Sequence, residues 1–239
     1  MKVCVTGYAG NVGKTLVASQ VIGRNMPGAM LYAIESINGT AEAYGEEVEK
    51  IRGEKYQKLY KDIMLLDDAI IDVGASNVVQ FQEGMLRYSD SQKELDVFVI
   101  PTTSGTKEQK EAIAMVETLR GLGIGPERIK IVCNRVVEDV EEEFSMMFAY
   151  ARKEGTCILS PDAAIWESEL MDMMHVRHMS LDDLLSDMRD YRSLARELGP
   201  DADPALREKY RDLHVMKALA MSVYQNFNTV FNAIFQEGA

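Results

Sequence analysis

The sequence has little of what marks a secreted, disulfide-bonded protein. Its 239 residues include three cysteines, Cys4, Cys133 and Cys157, which lie far apart in the chain. Two of them fall within apolar runs that predict strands, and a cysteine in such a place is most often a small buried hydrophobe. We therefore expect free thiols in a reducing compartment and no disulfide framework.

Basic residues and long apolar runs are also scarce. Lys and Arg number 26 against 38 Asp and Glu, which gives a formal net charge of −12. This balance argues against broad electrostatic binding of DNA or anionic lipid, although it is compatible with a local basic patch. No uncharged apolar run reaches about 18 residues, and the chain begins directly with a strand rather than a signal peptide. We expect a cytoplasmic protein without membrane attachment.

Histidine and tryptophan are rare as well, with three His and one Trp. His175 and His178 have the spacing of two metal ligands on a helix, but no Cys or third His lies nearby. A surface or packing role is therefore the better interpretation of this pair. Trp166 and the fifteen methionines are interpreted as core or adaptable packing.

The chain is organised around its first fifteen residues, where a short β-branched run precedes a glycine-punctuated loop and a helical segment. This strand–loop–helix order is typical of a phosphate-binding P-loop, in which successive N–H groups and a helix N-terminus face one anion. Lys14 is predicted to contact the terminal phosphates and Thr15 to coordinate Mg²⁺. The standard pattern has glycine where Tyr8 stands here. The predicted nucleotide-binding residues of the loop are Gly10, Asn11, Val12, Gly13, Lys14 and Thr15.

Strand-like and helix-like segments alternate from residue 2 to about residue 160. That order predicts an α/β fold with a doubly wound, mainly parallel sheet. We predict strands over 69–72, 94–100, 128–133 and 156–159, among others, and a capping box at Thr106 and Gln109. Ligands of such sheets lie at the carboxyl ends of the strands.

Four further residues at predicted strand ends are candidates for the chemistry of the site. Asp72 ends an apolar strand and is the best second ligand for Mg²⁺, while Glu35 could polarise water or bind metal. Asn134 can hydrogen-bond an adenine edge, and Arg135 can stack on the ring. No Asp follows this pair to recognise guanine, so we favour ATP.

The pattern changes to helices alone in the last third of the chain. Ser180 with Asp183 and Asp203 with Pro204 are predicted helix starts, and apolar residues recur at helical spacing from Met216 to Ile234. We divide the chain into a nucleotide-binding domain over 1–165 and a helical extension over 166–239. The apolar stripe is expected to pack on that domain or on a partner, because its polar face lacks the basic residues of a membrane anchor.

Several motifs together resemble the ParA/MinD superfamily of Walker-type ATPases: 10–15 (Gly-Asn-Val-Gly-Lys-Thr), 72–77 (Asp-Val-Gly-Ala-Ser-Asn), 101–102 (Pro-Thr), 132–135 (Val-Cys-Asn-Arg) and 159–161 (Leu-Ser-Pro). The loop and the Met-Pro-Gly-Ala that ends at Ala29 are similar to StbB-type plasmid stability proteins of that superfamily. The resemblance covers about residues 1 to 165.

The resemblance implies an ATPase that acts as a positional switch, dimerises around ATP and is reset by hydrolysis. It implies roles in plasmid maintenance and conjugative transfer beside a plasmid-encoded DNA-binding protein, and members bind DNA or membrane in one nucleotide state. By this resemblance Lys14 contacts phosphate, Thr15 binds Mg²⁺, Asp72 is the switch carboxylate and Asn134 contacts adenine. The other residues of the loop and Pro161 are also expected to bind the nucleotide.

The sequence departs from this superfamily at three places. Ala9 stands where a signature lysine reaches across the dimer, Asn11 replaces a glycine, and Glu35 takes the place of an Asp. Arg24 and Arg87 are candidate substitutes for the lysine.

Two other functions therefore stay open. One is a nucleotide-binding adaptor that does not hydrolyse ATP and holds a DNA-binding partner. The other is a P-loop ligase of the dethiobiotin synthetase kind, which shares the fold.

Overall fold

The computed structural model describes residues 1–34, 49–51, 56–199 and 201–235. Within these residues seven parallel strands form one sheet in the order β3-β2-β4-β1-β5-β6-β7. The predicted doubly wound parallel sheet is thus confirmed. The strands are β1 (Lys2–Val5), β2 (Met30–Ile34), β3 (Glu49–Ile51), β4 (Ala69–Val73), β5 (Val97–Thr102), β6 (Ile129–Val136) and β7 (Ala164–Trp166).

The helices cover both faces of the sheet. The first, α1 (Lys14–Leu16), continues as a π-helical segment, Val17–Ile22, and a 3₁₀ turn, Gly23–Asn25. The others are α2 (Tyr56–Ile63), α3 (Val78–Arg87), α4 (Thr106–Gly121), α5 (Val140–Glu143), α6 (Ser145–Glu154), α7 (Glu169–Arg177), α8 (Leu181–Ser186), α9 (Tyr191–Glu197) and α10 (Pro204–Phe235). The charged residues over 41–61 predict an exposed helix, and this prediction is wrong at 49–51, which form β3, and confirmed at 56–61, which belong to α2. The rest of that segment lies outside the described residues.

Successive side chains of β1 point into two different apolar cores, one on each face of the sheet. Cys4 packs with α2, α3, α4 and α6, whereas Val3 and Val5 pack with α1 and with α7 to α10. Because successive side chains of a strand point to opposite faces, a continuous apolar run is what a sheet covered on both sides requires. All five residues of β4 are buried for the same reason.

The C-terminal helix α10 packs on the sheet's second core. Its stripe, which includes Met216, Phe227 and Val230, is buried with Val3 and Val17 in one cluster. The start predicted at Asp203 is confirmed, since its carboxylate accepts a hydrogen bond from the N–H of Ala205 at 2.9 Å. None of the helices in the described ranges combines the length and apolarity needed to cross a bilayer.

The helix start predicted at Ser180 and Asp183 is confirmed, and the capping box predicted at Thr106 and Gln109 is wrong. Ser180 and Asp183 form the reciprocal bonds at the start of α8. At α4 the N-cap is Gly105, without a side-chain bond. The Gln109 amide instead donates to the carbonyls of Ser104 and Glu143, at 2.7 and 3.1 Å. It therefore ties α4 to α5, a long-range contact that local spacing does not reveal.

The strand predicted over 156–159 is also misplaced. Only Ile158 pairs there, as a single bridge to Lys130, and β7 follows a turn.

A side chain of α10 forms hydrogen bonds with the free edge of β7. The Asn226 amide donates to the Ala164 carbonyl at 2.8 Å, and its oxygen accepts from the N–H of Trp166 at 3.1 Å. A side chain thus protects the edge that another strand would otherwise seek.

The close contact between Gly84 and Tyr56 yields a stability prediction. A Cβ at Gly84 would lie 2.3 Å from Cγ of Tyr56, whose hydroxyl donates to Ser91 in the core at 2.9 Å. We expect Gly84→Ala to lower the free energy of unfolding by about 2 kcal/mol through overpacking. Gly121→Ala is the matched control, because that helical site is open, and it should be neutral or stabilising by up to about 1 kcal/mol. Urea denaturation measures both, and equal stabilities would contradict the contact.

The buried cysteines yield a reactivity prediction. Burial raises the pKa of Cys133 to about 12 and of Cys157 to about 11. Burial and the charge of Asp72 also raise the pKa of Cys4. Since the thiolate is the reactive form, we expect no reaction of the native protein with Ellman's reagent at about pH 8, and three equivalents in denaturant. Fast reaction of the native protein would show that a thiol is accessible.

Candidate functional site

The loop between β1 and α1 takes the left-handed backbone turns that a P-loop needs. Gly13 has φ +89°, and its carbonyl accepts the N–H of Val17 at 2.9 Å as the helix begins. Asn11 has φ +57°. Asparagine is one of the few residues with a side chain that tolerates this region. The replacement of a glycine by Asn11 therefore preserves the turn.

Lys14 lies inside the loop rather than in solvent. Its side chain is buried, and its ammonium donates to the carbonyl of Ala9 at 2.5 Å. Burial lowers the pKa of Lys14, and the charges of Asp72 and Glu111 act in the opposite direction. The loop thus holds a desolvated cation at the position where the sequence predicts the phosphate contact.

The two predicted metal ligands lie in direct contact. The Thr15 hydroxyl donates to the Asp72 carboxylate at 2.7 Å, and Asp72 is only 2% exposed. Their oxygens are the kind of ligand that Mg²⁺ prefers, and Mg²⁺ usually takes only one or two protein ligands beside phosphate and water. Among the residues whose structure is described, no group of three or more His, Cys, Asp or Glu side chains is arranged to hold a metal ion. The pair therefore fits a metal shared with a phosphate.

Asn134 braces the loop from the end of β6. It is buried, its amide donates to the Val12 carbonyl at 2.9 Å, and its oxygen accepts from the N–H of Arg135 at 2.9 Å. Gly13 must lack a side chain here, because a Cβ would lie 2.2 Å from the Asn134 amide nitrogen. Arg135 follows at a bulge, with φ +59° and an exposed side chain.

These elements enclose a cleft of about 700 Å³. One wall is the P-loop, and the other is β7 and α7, with Gly74 and the segment after it at the side. The predicted residues that line it are Gly10, Asn11, Gly13, Lys14, Thr15, Asn134 and Arg135. Val12 is buried, and Asp72 is reached through Thr15. Pro161 lies in an exposed turn outside the lining, and Glu35 falls outside the described residues.

The far wall holds residues that the sequence analysis missed. Trp166, expected in the core, is 45% exposed and lines the cleft with Glu167 and Asp172. Its place at the carboxyl end of β7 would have revealed it, had that strand been placed correctly. The cleft thus has cations on the loop side and carboxylates with an aromatic ring opposite.

Tyr8 also has a role that the glycine pattern does not predict. Its hydroxyl forms hydrogen bonds with Gln82 of α3 at 3.2 Å and Thr118 of α4 at 3.0 Å. The large side chain thus anchors the loop to two helices. Arg24 is a candidate to replace the missing lysine, but its side chain contacts α10. It donates to Asn228 at 2.6 Å and lies over the ring of Tyr224.

Comparison with known proteins places the fold. No protein-family model matches the sequence, and no curated protein matches it. Among solved structures, apo McdA from Cyanothece matches with a TM-score of 0.52 and 13% identity, over 90% of this chain and 98% of that one. A chain of the MinC:MinD cell division protein complex from Aquifex aeolicus matches with a TM-score of 0.51 and 15% identity, over 85% of this chain and 99% of that one. The chain therefore has the P-loop fold of the ParA/MinD type.

Gly13 and Asn11 both have positive φ angles, but we expect substitutions at the two positions to have different effects on stability. Gly13→Ala places a side chain in a left-handed conformation and against Asn134, so we expect it to lower the free energy of unfolding by about 2 kcal/mol. Asn11→Gly relieves the same kind of strain and should change stability by less than about 0.5 kcal/mol. Denaturation curves compare the two, and a neutral Gly13→Ala would show that the loop is built differently.

Proposed function

We propose that this protein binds MgATP in the cleft and hydrolyses it slowly, as a positional switch for plasmid stability or partition and for conjugative transfer. The observation that carries the proposal is the Thr15–Asp72 hydrogen bond of 2.7 Å next to the buried Lys14. A hydroxyl, a carboxylate and a desolvated ammonium converge there on one glycine-turned loop, which is the arrangement that a metal-bound triphosphate requires.

Each part of the loop has a task in this proposal. The N–H groups of Gly10 to Gly13 and the ammonium of Lys14 hold the phosphates. The Thr15 hydroxyl and the Asp72 carboxylate hold Mg²⁺, directly or through water, and the ion supplies neutralising charge on the phosphate oxygens. Glu35, which follows β2 in the sequence, is the proposed carboxylate for polarising water.

The base is proposed to lie at the Arg135 and Trp166 end of the cleft. A guanidinium and an indole ring are both stacking surfaces for a purine. An amide has two N–H donors and two oxygen lone pairs, so Asn134 can brace the loop and still contact an adenine edge. Pro161 remains a weaker candidate, because its turn does not line the cleft.

The low turnover is inferred from the loop's single lysine. Ala9 is 6% exposed, and its carbonyl binds the Lys14 ammonium. No second lysine of the loop is present to stabilise the transition state across a dimer. We therefore propose that hydrolysis depends on a plasmid-encoded DNA-binding partner. The homodimer in the ATP state is proposed from the resemblance to the ParA/MinD superfamily alone. Direct DNA binding is a lesser proposal, since the net charge of −12 suits a basic protein better than DNA.

The second candidate is an adaptor that binds nucleotide without hydrolysing it, and the same Ala9 favours it. A ligase of the dethiobiotin synthetase kind has less support. Such a ligase needs a pocket for a carboxylate substrate, and the motifs of the sequence define none.

The central test is Lys14→Ala. We expect at least about a hundredfold loss of affinity for MgADP and MgATP, because a charge-assisted phosphate contact is lost. Titration calorimetry measures it, and the fluorescence of Trp166, the single tryptophan, should change on binding to the wild type. Lys107→Ala, at an exposed lysine of α4, is the control.

The outcomes separate the proposals. Binding with phosphate release, both lost in Lys14→Ala, supports the switch. Binding without release, even with the partner present, supports the adaptor. Unchanged affinity in Lys14→Ala would refute a functional P-loop.

A further inference from the structure

A second cavity of about 550 Å³ lies away from the P-loop, among α7, the segment before α9 and the first half of α10. Its floor includes Tyr191 and Leu213, which are 2% and 4% exposed. Tyr210 lies beside Tyr191, with ring centroids 5.8 Å apart. The size and the mostly apolar lining are those of small-molecule sites.

The lining of this cavity differs in charge from the acidic chain around it. Of the lining residues that the structure describes, three are cationic, namely Arg177, Arg189 and Lys209, and none is acidic. Two of these cations, Arg177 and Arg189, are paired with carboxylates outside the lining, so Lys209 supplies most of the excess positive charge at the rim.

Carboxylates behind the rim hold the two arginines in position. Arg177 forms an ion pair with Asp212 of α10. Arg189 donates to both oxygens of Asp187, from Nε at 2.9 Å and from its terminal nitrogen at 2.7 Å. These pairs offset part of the charge but fix where each guanidinium lies, and Lys209 adds a further, exposed cation.

We propose that this cavity binds a small anion with a flat apolar body, such as an aromatic carboxylate, sulfonate or phosphate. The ring packs against Tyr210 and Leu213, and the anionic group lies at the rim with Lys209 and Arg177. An apolar floor with a few convergent cations gives both the contact area and the orientation for such a ligand.

The position of α7 connects this cavity to the nucleotide cleft. Asp172 and His175 line the cleft, while Val176 and Arg177 line the second cavity. One short helix is therefore a wall of both, and a ligand in the second cavity changes nucleotide affinity through it. This coupling rests on the proposed function, whereas ligand binding does not.

The probe is anilinonaphthalene sulfonate, an aromatic anion that fluoresces in apolar sites, titrated into the full native chain. We expect one saturable site whose affinity falls as salt rises. Lys209→Glu should weaken binding about fivefold or more by replacing attraction with repulsion. Arg211→Glu on the same helix is the matched control, because Arg211 is exposed, does not line the cavity and should leave the affinity unchanged.

Lys14→Ala separates this proposal from the previous one. It should bind the probe as the wild type does, whether or not the P-loop binds ATP. No saturable binding, equal effects of Lys209→Glu and Arg211→Glu, or a loss of binding in Trp166→Ala would overturn the site. The coupling is tested by the MgADP affinity with and without saturating probe, and we expect a change of about threefold or more. An identical affinity would overturn the coupling.

Discussion

The parallel pairing of β1 with β4 is the constraint on which the site depends. Its register sets Val5 beside Asp72. The loop that leaves β1 therefore begins next to the Asp72 carboxylate near the end of β4, although Thr15 and Asp72 are 57 positions apart in the chain. Both strands are buried in the middle of the sheet, so the sheet's apolar cores on both faces hold this polar pair in place.

Asn134 adds a second brace from the opposite side of β1. Asn134 belongs to β6, and β5 lies between β1 and β6 in the sheet. Its hydrogen bond to Val12 joins the loop to a strand two positions away in the sheet. The loop is thus held by Asp72 on one side and by Asn134 on the other. For the proposed phosphate ligand, a loop fixed in this way would lower the ordering cost of binding.

The parts of the site that follow from local sequence could be predicted, and those that depend on distant contacts could not. The loop, Thr15 and Asp72 are signalled by glycine spacing, a helix start and an apolar run that ends in a carboxylate. Tyr8 and Gln109 obtain their roles from partners more than thirty residues away. Trp166 obtains its role from β7, a strand that begins only after the turn that follows Ile158. Periodicity carries no information on either, because it describes one element and not its neighbours.

The C-terminal helix shows how a remote element becomes part of the site. Asn226 of α10 holds the main chain of Trp166, and Asn228 holds Arg24 at the end of the helix that follows the P-loop. Both contacts come from one turn of the same helix, and α10 also forms the floor of the second cavity. A shift of α10 would therefore move the aromatic wall of the cleft and the end of the loop's helix together. Through these two hydrogen bonds α10 contacts both the far wall of the cleft and the helix that follows the P-loop. The proposed coupling between the second cavity and the cleft rests on this path of contacts.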